Sequence, residues 1–77
     1  MSEIEEIILE LEYAENHFPD EFNNSQAGFA ILSEDFNELR EEIAKRSHDY
    51  YSEYTDAKLI ACAAIRYMKM CRSRGLL

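Results

Sequence analysis

A run of apolar residues at alternating spacings of three and four constrains this chain more than any other feature. The run comprises Phe29, Leu32, Phe36, Leu39 and Ile43. This spacing is the repeat of one face of an amphipathic α-helix, whereas a half-buried strand would alternate at every second residue. The run therefore predicts a helix over residues 26–45, with these five side chains directed toward a core.

Five carboxylates lie on the same stretch, and the apolar repeat determines where they point. At about 100° per residue, Asp35 and Glu42 lie roughly 70–90° from the centre of the apolar stripe, and Glu38 lies about 130° from it. Glu34 and Glu41 lie almost opposite the stripe. We therefore expect Asp35, Glu38 and Glu42 to form an acidic edge beside the core, with Glu34 and Glu41 facing water.

A helix is also predicted at the start of the chain. Ser2-x-x-Glu5 is a capping-box pattern, in which two side chains pair with the free amide groups of a first helical turn. Apolar residues then recur at spacings of three and four from Ile4 to Phe18. Pro19 ends the helix, because proline cannot continue one.

The third predicted helix spans residues 49–73. Its segment 59–65 is apolar on all sides, which predicts burial against both other helices and against a second subunit. Asp56 heads a stripe of this helix that is otherwise apolar. Together these patterns predict a single all-α domain over residues 1–77. A long antiparallel hairpin of helices two and three joins the N-terminal helix, and the domain assembles as a dimer or a larger bundle with the third helices central.

Length and charge narrow the classes of partner. A domain of 77 residues buries only about 60% of the surface that its unfolded chain exposes to water. We therefore expect a homo-dimer or higher homo-oligomer, which buries more. A net charge of −8 argues against direct nucleic-acid binding, which needs a basic face. No segment is long and apolar enough to span a membrane. Cys62 and Cys71 are too far apart on one helix to be bridged, and reduced thiols indicate a cytoplasmic protein.

Two acidic pairs with helical spacing occur on neighbouring helices, Asp35 with Glu38 and Glu53 with Asp56. Two carboxylates about 5 Å apart repel by about 3 kcal/mol at an effective dielectric near 20, so four that face each other require a cation. Mg²⁺ or Mn²⁺ prefers such oxygen ligands and keeps waters and substrate phosphates. The pairs thus predict metal-assisted attack of water on a phosphoanhydride. In the alternative interpretation, both acidic pairs lie on solvent-exposed edges of surface helices and bind no metal.

Several short stretches also resemble a known family. They are Ala14-Glu15-Asn16-His17-Phe18-Pro19, Phe22-Asn23-Asn24, the segment 27–39, and Ala61-Cys62-Ala63-Ala64-Ile65-Arg66-Tyr67. Over roughly residues 10–70 the chain resembles small, often phage- or bacterial-encoded members of the MazG-type all-α nucleotide pyrophosphohydrolase superfamily. The resemblance implies that two helices carry acidic pairs that hold Mg²⁺. It also implies cleavage of a nucleoside triphosphate to monophosphate and pyrophosphate.

The first acidic motif of that superfamily resembles Glu34-Asp35-x-x-Glu38-Leu39, with Asp35 in place of a glutamate. The resemblance implies that Asp35 and Glu38 are metal ligands. We further expect Glu34 or Glu42 to assist the reaction or to orient water.

The second motif can be aligned in two ways. In the first alignment, Glu53-x-x-Asp56 matches the Glu-x-x-Asp pattern of the motif and supplies two further metal ligands. Alignment of the apolar run through Arg66 instead puts Asp56 first and Leu59 second, which removes one ligand. The candidates for contact with the substrate's phosphates are Lys58, Arg66 and Lys69.

The sequence therefore predicts a Mg²⁺-dependent nucleoside triphosphate pyrophosphohydrolase. The alternative is a non-catalytic, small acidic interaction protein with a MazG-like fold. Such a protein would use its negative charge to occupy a basic surface on a partner.

Overall fold

A computed structural model describes residues 1–75, and the last two residues of the predicted domain, 76–77, lie outside this part. The described chain forms three helices, α1 (Glu3–His17), α2 (Ser25–Ile43) and α3 (Tyr50–Ser73), and contains no strand. The predicted all-α class is confirmed. No helix in this part of the chain is both long and apolar enough to cross a membrane.

Polar caps set the beginning of each helix. The Ser2 hydroxyl accepts a hydrogen bond from the Glu5 amide at 3.2 Å, and the Glu5 carboxylate accepts one from the Ser2 amide at 2.9 Å, so the predicted capping box is confirmed. Asn24 caps α2, because its Oδ1 accepts a hydrogen bond from the Ala27 amide at 2.8 Å. Asp49 caps α3 in the same way. These side chains satisfy amide groups that a helix leaves unpaired in its first turn.

The helix α3 is the central element of the fold. α2 packs against it as the antiparallel arm of the predicted hairpin, and α1 packs against it from another side. α1 runs parallel to α3, since Tyr54 bonds Glu6 near the start of both helices and Lys69 bonds Glu15 near their ends. Within residues 1–75, no Cα atom of α1 comes within 8 Å of one of α2.

The core lies along α3 and is small. Among the described residues, the buried apolar side chains are Cys62, Ala63 and Met70. Burial of the apolar segment 59–65 is thus confirmed for its centre, and the Cys62 thiol donates to the Ile7 carbonyl at 3.4 Å. Gly28 is buried where α2 crosses α3, and a Cβ there would lie 2.8 Å from Cδ2 of Tyr67. The rings of Tyr67 and Phe22 thus lie directly against the α2 backbone at this position, which explains the glycine.

The orientation of α2 differs from the prediction. Phe29, Phe36 and Ile43 are 67%, 56% and 50% exposed, so they do not face the core of the chain. The side toward α3 instead includes Gly28, which meets Tyr67, and Asp35, which shares a groove with residues of α3. The close approach at Gly28 fixes this rotation. As a result, the predicted edge carboxylate Asp35 lies beside α3.

Candidate functional site

Because α1 and α2 lie on different sides of α3, a groove of about 270 Å³ remains between them, which we call the central groove. Leu59, Cys62 and Ala63 of α3 contribute to its lining. The acidic side chains that line it are Glu10 of α1, Glu21 of the α1–α2 connection, and Glu34 and Asp35 of α2. Carboxylates from both flanking helices and their connection therefore converge on one surface.

Asp35 is the most perturbed carboxyl in this groove. Its pKa is raised from the ordinary 3.8 to about 6, chiefly by partial burial. The negative charges of Glu38, Glu34, Glu21 and Asp56 raise the pKa further, in that order. Because these neighbours belong to α2, the connection and α3, Asp35 lies where acidic groups of three segments act on one another.

The other predicted metal ligands lie in different settings. Glu38 is exposed on α2, and Asp56 is half-buried on α3. Glu53 is also half-buried, with its Oε2 3.0 Å from Nδ1 of His48. The structure thus brings Asp35 within electrostatic range of Glu38 and Asp56, while Glu53 contacts the connection between α2 and α3.

The two predicted water-orienting residues also differ in position. Glu34 lines the central groove next to Asp35. Glu42 lies two turns further along α2, where its Oε2 forms an ion pair with the Lys45 ammonium at 3.0 Å. This ion pair raises the pKa of Lys45. Of the two residues, only Glu34 belongs to the lining of the groove.

The carboxylates around Asp35 supply the oxygen ligands that Mg²⁺ prefers but, within the described residues, do not form a protein cage for the ion. Among residues 1–75, no group of three or more histidine, cysteine, aspartate or glutamate side chains is close enough to hold a metal ion. An all-protein cage is therefore not formed in this part of the chain. Mg²⁺, however, is commonly bound through one or two carboxylates together with waters and substrate phosphates. A pair drawn from Asp35, Glu38 and Asp56 suits that mode of binding.

Arg66 holds the connection between α1 and α2 against α3. Its side chain is almost fully buried, and Nη1 donates to the Glu21 carboxylate at 2.9 Å. Nη2 donates to the Phe18 carbonyl at 2.6 Å, and the guanidinium lies 4.8 Å from the centre of the Phe22 ring. Arginine suits this position because its planar group binds several acceptors and stacks on an aromatic ring. The predicted phosphate ligand thus already has three partners within the chain.

The two lysine candidates for phosphate binding lie on the α1 side of α3. Lys69 forms an ion pair with Glu15 at 2.9 Å. Lys58 is half-buried and lines a shallow notch with Ile7 and Tyr54. Neither lysine is part of the lining of the central groove.

The sequence did not indicate that Glu10 and Glu21 belong to the groove. Glu10 lies off the apolar repeat of α1, so that repeat gives no sign of its burial, whereas the residue is half-buried. A signal was present in its position four residues before Ala14, because residues at this spacing share a helix face, and Ala14 also lines the groove. Glu21 lies in a connection, where helical periodicity gives no direction.

The chain matches no family model, no curated protein and no solved structure. The MazG-type resemblance therefore stays a prediction, as do the roles it implies for individual residues.

Proposed function

We propose that this chain is a Mg²⁺-dependent pyrophosphohydrolase that cleaves a nucleoside triphosphate to the monophosphate and pyrophosphate. The observation that carries the proposal is the position of Asp35. It is partly buried beside the central groove, within electrostatic range of acidic groups on α2, on the α1–α2 connection and on α3. Such a concentration of negative charge attracts a divalent cation, and a cation is what allows an acidic site to accept phosphates.

In this proposal Asp35, Glu38 and Asp56 are the metal ligands, with Glu53 as a further ligand if the loop at His48 releases it. When bound, Mg²⁺ supplies neutralisation of phosphate charge and polarisation of the scissile phosphoanhydride. The Glu34 carboxylate accepts a hydrogen bond from the attacking water, since it lines the groove next to Asp35. Glu42 becomes the alternative for this role if its ion pair with Lys45 opens.

The residues outside the acidic set have supporting roles. Arg66 fixes the wall of the groove through Glu21 and the Phe18 carbonyl, so its contribution is to position that wall. Lys58 is the remaining candidate for contact with a triphosphate that extends beyond the groove.

The activity is tested by incubating the purified protein with each nucleoside triphosphate and Mg²⁺ and measuring the release of pyrophosphate. In parallel, the melting temperature is recorded with Mg²⁺ or Mn²⁺ and with a monovalent salt at equal ionic strength. We expect pyrophosphate release and a rise in melting temperature that is specific to the divalent cation. Asp35→Asn should abolish both effects. Glu41→Gln, an exposed change on the same helix, should abolish neither.

The proposal fails if no nucleotide yields pyrophosphate and the wild-type protein responds to divalent cations no more than the Asp35→Asn variant does. Loss of the cation response with Glu41→Gln as well would contradict the assignment of Asp35, because a general charge effect would then explain the data.

A second candidate function is a non-catalytic acidic protein that docks on a basic partner. The observation in its favour is that Arg66 and Lys69 are already bound to carboxylates of the same chain. In this case divalent cations should act only through ionic strength, and salt should weaken binding to the basic partner.

Two further points apply to either function. Cys62 and Cys71 are free thiols, which suits a reducing compartment, and we place the protein in the cytoplasm. A homo-oligomer is compatible with the hydrolase but is not required for it, because the proposed ligands all belong to one chain.

A further inference from the structure

Large apolar side chains of α2 point away from the rest of the chain. Phe29, Phe36 and Ile43 are each at least half exposed, and their seven-residue spacing places them in one line along the helix. Leu32 and Leu39, which are half-buried, occupy the turns between them. We call these five residues the α2 stripe.

The chain by itself buries too little apolar surface to account for this stripe. Among residues 1–75, three apolar side chains are buried, and no large side chain is fully buried. A folded domain gains most of its stability by removing apolar surface from water. Aligned phenylalanines that remain in water are therefore typical of a surface that another molecule covers.

The spacing and charge of the stripe indicate what covers it. Alternating intervals of three and four are the pattern by which two helices pack along a shared seam, so the stripe is complementary to a copy of itself. It contains no carboxylate, although the chain carries a net charge of −8. On its exposed side it is flanked by Arg40, which lines a shallow surface with Phe36 and Ile43, whereas Asp35 and Glu42 on its other side are half-buried. A basic partner would therefore meet Arg40 and few exposed carboxylates along the stripe, whereas a second copy would find matching apolar side chains.

We propose that the α2 stripe is the contact surface for a second copy of this chain, in a two-fold symmetric dimer whose α2 helices pack against each other. The exposed area is of the size that such a dimer needs. With about 200 Å² for a fully exposed phenylalanine, Phe29 and Phe36 alone offer roughly 250 Å² per copy. A specific interface buries roughly 500 Å² or more per partner, and the other stripe residues and the stem of Arg40 supply the remainder.

The first test is the mass of the protein in solution, measured by analytical ultracentrifugation from roughly 1 μM to 1 mM. The wild-type protein should be a dimer. Phe36→Glu places a charge in the middle of the apolar contact on both copies and should raise the dissociation constant at least about 100-fold. The matched control is Ile4→Glu, since Ile4 is 70% exposed on α1, and it should change the dissociation constant less than about threefold.

Salt gives an independent measurement. The copies repel each other through their net charge, and the proposed contact is apolar, so added salt should strengthen the dimer by screening. An interface built on ion pairs would weaken instead, and that result would overturn the proposal.

A cross-linking experiment covers the case in which Phe36→Glu does not fold. Residue 36 is the midpoint of the stripe, so it meets its counterpart whether the two helices run parallel or antiparallel. In a Cys71→Ser background with an added oxidant, Phe36→Cys should give a disulfide-linked dimer, whereas Tyr13→Cys, on exposed α1 surface, should not.

A wild-type protein that stays monomeric at every concentration overturns the proposal. So does a dimer that Ile4→Glu dissociates and Phe36→Glu leaves intact. None of these readouts depends on pyrophosphate release, so the dimer and the hydrolase stand or fall separately.

Discussion

Replacement of Asp35 by asparagine should stabilise the protein at neutral pH in the absence of metal. Partial burial and acidic neighbours raise the pKa of Asp35 to about 6, so the folded chain holds this proton more tightly than the unfolded chain. The stability contributed by this group is therefore present in full below pH 3.8 and is lost as the pH rises through 6. At pH 7 the charged carboxylate destabilises the fold, and asparagine removes the charge while keeping the shape.

The size of the effect follows from the shift in pKa. The difference between a pKa of 3.8 in the unfolded chain and about 6 in the folded chain corresponds to roughly 3 kcal/mol if solvent screens none of the interactions. Asp35 is only partly buried, and water screens its interactions, so we expect about 1 kcal/mol. For a domain of this size, that gain raises the melting temperature by about 4–8 °C.

The assay is urea denaturation of wild-type protein, Asp35→Asn and Glu41→Gln between pH 4 and pH 8, with a chelator present. Glu41→Gln removes one negative charge from an exposed position of α2, so it measures the benefit of a smaller net charge alone. The advantage of Asp35→Asn should exceed that of the control at pH 7 and shrink toward pH 4. Equal advantages for the two variants, or an advantage that does not vary with pH, would refute the reasoning.

Three further substitutions test the packing and the caps. Gly28→Ala should lower the free energy of unfolding by about 1 kcal/mol in urea titrations, because the new Cβ would meet the Tyr67 ring at 2.8 Å; a gain of stability would show that the ring moves freely. Arg66→Lys should lower the free energy of unfolding by about 2–3 kcal/mol, since a lysine cannot keep hydrogen bonds to both the Glu21 carboxylate and the Phe18 carbonyl. An unchanged melting temperature would show that these hydrogen bonds do not stabilise the fold. Asn24→Ala should lower the free energy of unfolding, measured by thermal melting, by about 1 kcal/mol, because α2 loses its capping hydrogen bond. No change in stability would mean that water replaces the Asn24 side chain as the acceptor.

The helix ends could be predicted because their signals are local. The Ser2-x-x-Glu5 pattern and Pro19 bracket α1 closely. Asp49 caps α3 at the residue where the helix was expected to begin. The start of α2 was expected at residue 26 and lies at Ser25, because Asn24 supplies the cap. Such short-range pairing requires no knowledge of the rest of the fold.

The rotation of α2 and the role of Arg66 could not be predicted in the same way. Periodicity identifies the most apolar side of a helix, and it does not tell a core of the same chain from a surface for another chain. Phe36 illustrates this limit, since it belongs to the apolar repeat and is 56% exposed. The partners of Arg66 come from a connection 45 and 48 residues earlier, and sequence spacing carries no information about such distant contacts.

The separation of α1 from α2 has a mechanical consequence for the central groove. Within residues 1–75, the two helices have no Cα atoms within 8 Å of each other, so each can shift on α3 without displacing the other. Any molecule that fills the groove touches both walls and becomes the bridge between them. Occupancy should therefore slow amide hydrogen exchange in α1 as well as in α2, and turn two separately moving helices into one rigid unit.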